Sequence, residues 1–185
     1  MIFMALMGNL LDVPLVQVVI PVYVREVFDS PASLGAILGA LGGGALLGTV
    51  LFGLFGRRLP RRRTFIACWF VAPVLLYGTL VLTPPLPVLI LVGAVAGLLA
   101  GPINPILLTV VQENVPPGMA GRVFGALGAL AQAGVPFGSA AAGLIVQGAG
   151  VVPTILGMGL LYVAVTLSMV FNPALRRMDA ARTPA

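Results

Sequence analysis

Six long apolar segments constrain the fold of this chain more than any other feature of its sequence. They cover about residues 2–24, 32–56, 64–83, 86–112, 121–147 and 151–171. Each contains roughly the 20 apolar residues that an α-helix needs to cross a bilayer. Backbone amides in lipid must find partners within their own segment, so each segment is predicted to be a helix. The sequence therefore predicts an all-α membrane protein with six transmembrane helices, a bundle of residues 1–172 and a tail of residues 173–185.

The composition supports this prediction and disfavours an enzyme. Only 8% of the residues are charged, whereas a soluble domain has about a quarter. Histidine is absent and Cys68 is the only cysteine, so the chain has no histidine-based nucleophile pair or metal site. It also has no Walker-type phosphate loop. We therefore expect no catalytic residues, no metal and no cofactor.

The arginines predict the orientation in the membrane. If the two termini lie on the same side, that side carries nine arginines, and the opposite side carries only Arg25. The nine are Arg57, Arg58, Arg61, Arg62, Arg63, Arg122, Arg176, Arg177 and Arg182. Short loops rich in arginine remain in the cytoplasm. We therefore expect a multi-pass protein of the cell membrane with both termini, and the tail, in the cytoplasm.

The densest basic segment, GRRLPRRR at residues 56–63, has three interpretations. The net charge of +5 would suggest nucleic-acid binding in a soluble protein, but the polar face and interleaved aromatic residues of such a binder are missing. We therefore expect no nucleic-acid partner. The position between two spans favours a topology anchor, and contact with anionic lipid is a second possibility.

The two halves of the sequence resemble each other. ILGALGGGALLG at 37–48 aligns with VFGALGALAQAG at 123–134, and the offset of 86 places the second span on the fifth and the third on the sixth. The same offset brings the first span, broken by Pro14 and Pro21, close to the fourth, broken by Pro102 and Pro105. Repeats of three helices must have opposite orientations, as in many secondary transporters. We predict inverted repeats at about residues 1–83 and 86–171.

These features resemble the C-terminal half of a major facilitator superfamily transporter. The family's loop signature, roughly Gly-x-Leu-Ala-Asp-Arg-x-Gly-Arg-Lys, is matched by Gly53, Phe55, Gly56, Arg58, Arg61 and Arg62. Two positions depart from the signature: Arg57 replaces its acidic residue, and Pro60 replaces its second glycine. The resemblance therefore does not imply a gate ion pair formed by an acidic residue of this loop. The segments LLDVPLVQVVIPVYVREVFDSPASLG, NPILLTVVQENVPPGMAGRVFGALGAL and GVPFGSAAAG are similar to the drug and siderophore exporter branch.

Polar residues within the spans are the candidates for a substrate or proton pathway. Asp12 is the only acidic residue near the middle of a span, and an intramembrane carboxylate is costly unless it faces a cavity or a partner. It could instead lie near the cytoplasmic interface as a helix-end anion. Asn9 and Gln17 lie near the same helix face as Asp12. Asn104 and Gln132 either line a cavity or form hydrogen bonds between helices.

Charged residues at the predicted cytoplasmic side are candidates for gate loops. They are Arg57, Arg58, Arg61, Arg62, Arg63, Glu113 and Arg122. Glu113 could form a latch with Arg122 or with the arginine cluster, and a plain solvated loop is equally compatible with the sequence. An exposed ion pair is usually worth only about 0–1 kcal/mol.

Glycines at intervals of four predict close helix packing. They are Gly35, Gly39, Gly44, Gly48, Gly93, Gly97, Gly101, Gly134 and Gly138. Many membrane bundles have such glycines, so they predict packing rather than a ligand.

Two functions remain open at this point. The resemblance implies one half of a secondary transporter that exports small amphipathic molecules by proton antiport and alternating access. Its partners would be the bilayer, the substrate, protons, and either a missing N-terminal six-helix half or a second copy. The alternative is a stand-alone six-helix scaffold or assembly protein without transport activity, which would not need Asp12.

Overall fold

The fold is built from helices alone in the part of the chain that the computed structural model describes, residues 2–116 and 118–170. A π-helical turn, Leu15–Val19, and a 3-10 turn, Gly56–Arg58, join some of them. The helices are α1 Ile2–Pro14, α2 Ile20–Phe28, α3 Pro31–Phe55, α4 Arg61–Val81, α5 Leu86–Ala100, α6 Ile103–Asn114, α7 Ala120–Ala133, α8 Val135–Ala149 and α9 Val151–Val170. The predicted all-α membrane fold class is confirmed.

Five segments of the described chain are helical, long and apolar enough to cross a membrane. They are Pro31–Phe55, Arg61–Val81, Leu86–Glu113, Ala120–Ala149 and Val151–Ser168. They correspond to the second to sixth predicted spans. The first predicted span is also helical, and runs through α1, the π-helical turn and α2.

Three of the spans are interrupted: the first and the fourth at prolines, as the sequence predicts, and the fifth at a glycine where no break is predicted. Pro14 ends α1, and the π-helical turn follows it, because proline cannot donate the helical hydrogen bond to the residue four positions earlier. Pro102 separates α5 from α6 in the same way. A break at Gly134 divides the fifth span into α7 and α8.

The helices pack in pairs that are distant in sequence. The second span, α3, lies along α5 of the fourth, and the fifth span packs on α1 of the first. The third span, α4, packs on both α5 and α9. The core between these pairs is apolar and aromatic, and its largest fully buried side chains include Tyr23, Phe65, Leu15, Ile20, Leu80 and Ile155.

Glycines allow α3 and α5 to approach until their backbones touch. A methyl group at Gly44 or Gly48 would overlap the backbone of α5, and one at Gly97 would overlap the carbonyl group of Leu41 in α3. Gly101 lies equally close to the backbone of α3. The Thr49 hydroxyl, which has one proton to donate, lies 2.8 Å from the Ala45 carbonyl oxygen of its own helix and 3.1 Å from the Gly101 carbonyl oxygen. Pro105 cannot donate to the Gly101 oxygen, and the Thr49 hydroxyl lies within hydrogen-bond distance of it.

The remaining predicted packing glycines behave differently from one another. A methyl group at Gly138 would meet the Leu10 carbonyl oxygen at 2.6 Å, and one at Gly134 would meet leucine side chains of α1. Gly93 makes contacts of ordinary length. Gly35 and Gly39 are exposed and would have nothing within 4 Å of an added methyl group, so they make no close helix contact within the described chain. Spacing places them in α3 but on the face turned away from α5.

The predicted tail at 173–185, with Arg176, Arg177 and Arg182, lies outside the described residues.

Candidate functional site

The first span holds its carboxylate against two other spans. Asp12 lies in α1 just before Pro14 and the π-helical turn. Its Oδ2 accepts a hydrogen bond from the hydroxyl of Tyr162 in α9, at 3.2 Å. The Tyr77 hydroxyl of α4 donates to the neighbouring Leu11 carbonyl oxygen, at 3.3 Å. Two tyrosines therefore tie one turn of α1 to α4 and α9.

An aromatic cluster surrounds this carboxylate. The ring centroids of Tyr77 and Tyr162 lie 6.0 Å apart, and those of Trp69 and Tyr162 lie 6.5 Å apart. Phe65 extends the cluster, 5.2 Å from Trp69. A methyl group at Gly8 would meet the Trp69 ring at 2.9 Å. The aromatic rings are buried, so they exclude water from one side of the acid.

Asp12 differs in exposure from its aromatic partners. The residue is only partly buried, whereas Trp69, Tyr77 and Tyr162 are each at most 5% exposed. One oxygen of the carboxylate accepts the hydrogen bond from Tyr162. Tyr162 lies near the middle of α9, so the hydrogen bond links Asp12 to the central part of the sixth span.

The aromatic partners were missed in the sequence, where no role could be chosen for Trp69, Tyr77 or Tyr162. One signal was available. An intramembrane acid needs hydrogen-bond donors, and the chain has only three tyrosines and one tryptophan. Trp69 and Tyr77 are also eight residues apart in the third span, which places them on one helix face.

The predicted pathway amides lie on the surface of the bundle. Gln17, Asn104 and Gln132 are exposed and belong to the first, fourth and fifth spans. Asn9 is half-buried in α1. The four amides thus lie on three different spans. Among the described residues, the side-chain hydrogen bond of Asp12 is to Tyr162 and not to any of these amides.

The predicted gate loops contain one ion pair in the described part of the chain. The Arg61 Nη1 donates to both Glu113 oxygens, at 2.7 and 2.9 Å, and joins the start of α4 to the end of α6. Of the two latches considered, the structure thus forms the one to the arginine cluster, whereas Arg122 is exposed. Arg58 and Arg63 are also exposed, and Arg62 is half-buried. The Arg57 side chain lies outside the described residues.

Within the described residues, no group of three His, Cys, Asp or Glu side chains is arranged to hold a metal ion.

Sequence comparison adds the family. The sequence model of the Major Facilitator Superfamily matches residues 2–184 of this chain. The chain belongs to the major facilitator superfamily. The six-span helical bundle is accordingly one half of a major facilitator fold, in a multi-pass membrane protein.

Curated relatives within this superfamily include multidrug efflux pumps. The chain is 34% identical over 174 residues to the multidrug efflux pump Tap of Mycolicibacterium fortuitum, across 94% of this chain and 42% of the relative. It is 35% identical over 175 residues to Tap of Mycobacterium bovis and of Mycobacterium tuberculosis, across 92% of this chain and 40% of each relative. The chain thus spans about two fifths of the length of these major facilitator relatives.

Proposed function

We propose that this chain is one six-helix half of a proton-coupled exporter of small amphipathic molecules. The family match and the similarity to proteins named multidrug efflux pumps support export. The other half of the transporter is a second six-helix bundle, supplied by an N-terminal half or by a second copy. The two bundles expose a central route alternately to the two sides of the cell membrane. Both termini of this chain face the cytoplasm, in keeping with its arginine distribution.

The observation that carries the proposal is the Asp12–Tyr162 hydrogen bond within the membrane. An ionised carboxylate can only accept hydrogen bonds, whereas a protonated one can also donate. Gain or loss of a proton at Asp12 therefore changes the link between α1 and α9. The π-helical turn that follows Pro14 lies directly beside this link, and such turns often mark functional positions in helices. Proton binding is in this way coupled to the geometry of the first span.

The exposed amides support a polar route along the bundle. Gln17, Asn104 and Gln132 are uncovered on three different spans. An amide that faces hydrocarbon without a partner is costly, so water or a second bundle covers these side chains in the membrane. We assign them, with Asn9, to the lining of the substrate route.

The ion pair between Arg61 and Glu113 provides a cytoplasmic latch for this cycle. It joins the third span to the fourth, and its side chains are 24% and 38% exposed. A pair this exposed is worth about 0–1 kcal/mol, which suits a contact that forms and breaks during transport.

A stand-alone scaffold is the less favoured function. It would need no ionisable group within the membrane, and its polar residues would pair inside the bundle. Exposure of Gln17, Asn104 and Gln132 favours the transporter.

The test compares Asp12→Asn with the parent in the complete transporter, reconstituted in vesicles. The asparagine side chain keeps an oxygen that accepts the hydrogen bond from Tyr162. Unlike a carboxylate, it does not bind and release a proton. We expect loss of uptake of a fluorescent amphipathic dye driven by a pH gradient, with dye exchange at equal pH retained. Glu26→Gln, which removes an exposed acid from α2, is the matched control and should keep both activities. Proton-driven uptake that survives in Asp12→Asn would remove Asp12 from the mechanism.

A further inference from the structure

A groove on the outer surface of α4 and α9 has no role in the proposed transport cycle. It has a volume of about 550 Å³ and is lined by Arg62, Arg63, Ile66, Ala67, Phe70, Val71 and Leu167. Six of these residues form one stripe along α4, because positions three and four apart share a helix face. The stripe runs for about 13 Å along the helix, at 1.5 Å per residue. It starts with two arginines and continues as apolar surface.

The cationic end of the groove lies at the N-terminus of α4. The Nε of Arg62 is buried and has no hydrogen-bond partner in the described structure. The first-turn amides of α4 have no partner within the helix, and no side chain caps its N-terminus at Pro60. Helix N-termini of this kind bind phosphate groups. The groove therefore ends in two arginines at a helix N-terminus, a combination of charges that attracts a phosphate group.

The charge at this end is not neutralised by the acids of the described chain. Glu113 is held by Arg61, and Asp12 by Tyr162. Glu26 and Asp29 lie at the far end of the first span, on the opposite side of the bundle from the start of α4. Arg62 and Arg63 therefore present positive charge to whatever occupies the groove.

The apolar part of the groove suits a hydrocarbon chain. Phe70, Val71 and Leu167 are 36%, 44% and 49% exposed, so the wall faces outward from the bundle, toward lipid. Positive charge at one end and an open apolar wall along the rest match an amphiphile with an anionic head.

We propose that this groove binds an anionic phospholipid of the cytoplasmic leaflet, with its phosphate at Arg62 and Arg63 and an acyl chain along α4. The occupant is a lipid and not free phosphate, because most of the lining is apolar. The site depends on the groove and its charges, so it does not rest on the proposed export activity.

The experiment measures lipid retention by the purified complete protein in native mass spectrometry, after exchange with phosphatidylglycerol or phosphatidylcholine. We expect retention of phosphatidylglycerol over phosphatidylcholine. Arg62→Gln/Arg63→Gln should weaken that retention roughly 30-fold, at about fivefold per arginine near the membrane surface. Ala67→Trp, which fills the apolar wall and keeps both charges, should also release the lipid.

Two matched controls separate this site from general effects. Arg58→Gln/Arg122→Gln removes the same charge from exposed positions outside the groove, and Leu160→Trp places the same indole side chain at an exposed position of α9. Both should retain phosphatidylglycerol like the parent. The proposal fails if the arginine control loses as much lipid as Arg62→Gln/Arg63→Gln. It also fails if the two lipids are retained equally or not at all, or if inorganic phosphate alone displaces the lipid.

Discussion

The backbone of Gly48 lies against the carbonyl oxygen of Leu98. Pro102 follows Leu98 by four residues and cannot donate the helical hydrogen bond to this oxygen. A second contact in the bundle has the same chemistry, since Gly138 lies against the carbonyl oxygen of Leu10, four residues before Pro14. In both places a glycine brings one helix onto a carbonyl group that a proline has left without its usual donor. Weak Cα–H···O contacts favour such an approach.

The first prediction concerns Gly48 of α3. Gly48→Ala would overlap the backbone of Leu98, which cannot move aside as a flexible side chain can. We expect a loss of about 1–3 kcal/mol in the free energy of unfolding, the usual cost of overpacking a core. Unfolding in mixed micelles measures it.

Gly42→Ala is the matched control for this prediction. Gly42 lies in the same helix and would have nothing within 4 Å of an added methyl group. We expect its stability to equal that of the parent or exceed it slightly, because alanine favours helix over glycine. Equal effects at Gly42 and Gly48 would contradict the close contact.

The spans could be predicted from the sequence because the bilayer requires length, apolarity and internal hydrogen bonding together. The helix breaks at Pro14 and Pro102 follow from the missing amide of proline. Which glycines pack could not be predicted. Gly35 and Gly39 have the same spacing as Gly44 and Gly48, but the choice between them depends on where α5 crosses α3.

The second prediction concerns the coupling between Asp12 and Tyr162. A double-mutant cycle with Asp12→Leu and Tyr162→Phe removes the acceptor, the donor and both in turn. Hydrogen bonds between membrane helices average about 0.6 kcal/mol and reach about 1.7 kcal/mol in such cycles. We expect a coupling energy in this range, measured from unfolding of the purified protein.

Tyr77→Phe gives the comparison cycle. Tyr77 also lies in the aromatic cluster, but its hydroxyl donates to the Leu11 carbonyl oxygen and not to the carboxylate. Its coupling to Asp12→Leu should be clearly smaller. Equal coupling energies of Tyr77→Phe and Tyr162→Phe with Asp12→Leu would show that the Tyr162 hydrogen bond does not stabilise the protein through Asp12.

The candidate site was predictable only in part, and Asp12 shows why. Asp12 could be selected from the sequence because it is the only acidic residue near the middle of a span. A carboxylate in hydrocarbon is costly in any fold, so such a residue indicates a function before the structure is known. Its partner Tyr162 is 150 residues away in sequence, and only the packing of the first span on the sixth brings them together. The same reason applies to Glu113, for which Arg61 and Arg122 were equally acceptable partners before the helices were placed.

The third prediction concerns the latch between Arg61 and Glu113. Glu113→Gln removes an exposed pair worth up to about 1 kcal/mol, so the ratio of the two access states should change by up to about fivefold. The labelling rate of Asn104→Cys by an impermeant thiol reagent, added from each side, measures this ratio. The native Cys68 is buried.

Restoration of the pair distinguishes a latch from a general charge effect. The exchange Arg61→Glu/Glu113→Arg keeps the pair with reversed polarity and should return the labelling ratio toward the parent value. Arg25→Gln, an exposed change in α2, should leave the ratio unchanged. A reversed pair that behaves like Glu113→Gln alone would argue against the latch.

The fourth prediction extends the glycine contact to the predicted repeat. If residues 1–83 and 86–171 are inverted copies, the packing of the second span on the fourth has its counterpart in the packing of the fifth span on the first. Gly138→Ala should then destabilise the protein like Gly48→Ala, by about 1–3 kcal/mol. Gly143→Ala, with nothing within 4 Å of the added methyl group, is its control and should have no such cost.

Because the two contacts share no residues, the double variant Gly48→Ala/Gly138→Ala should lose the sum of the single effects. A Gly138→Ala protein as stable as the parent would show that the Leu10 contact does not repeat the Leu98 contact.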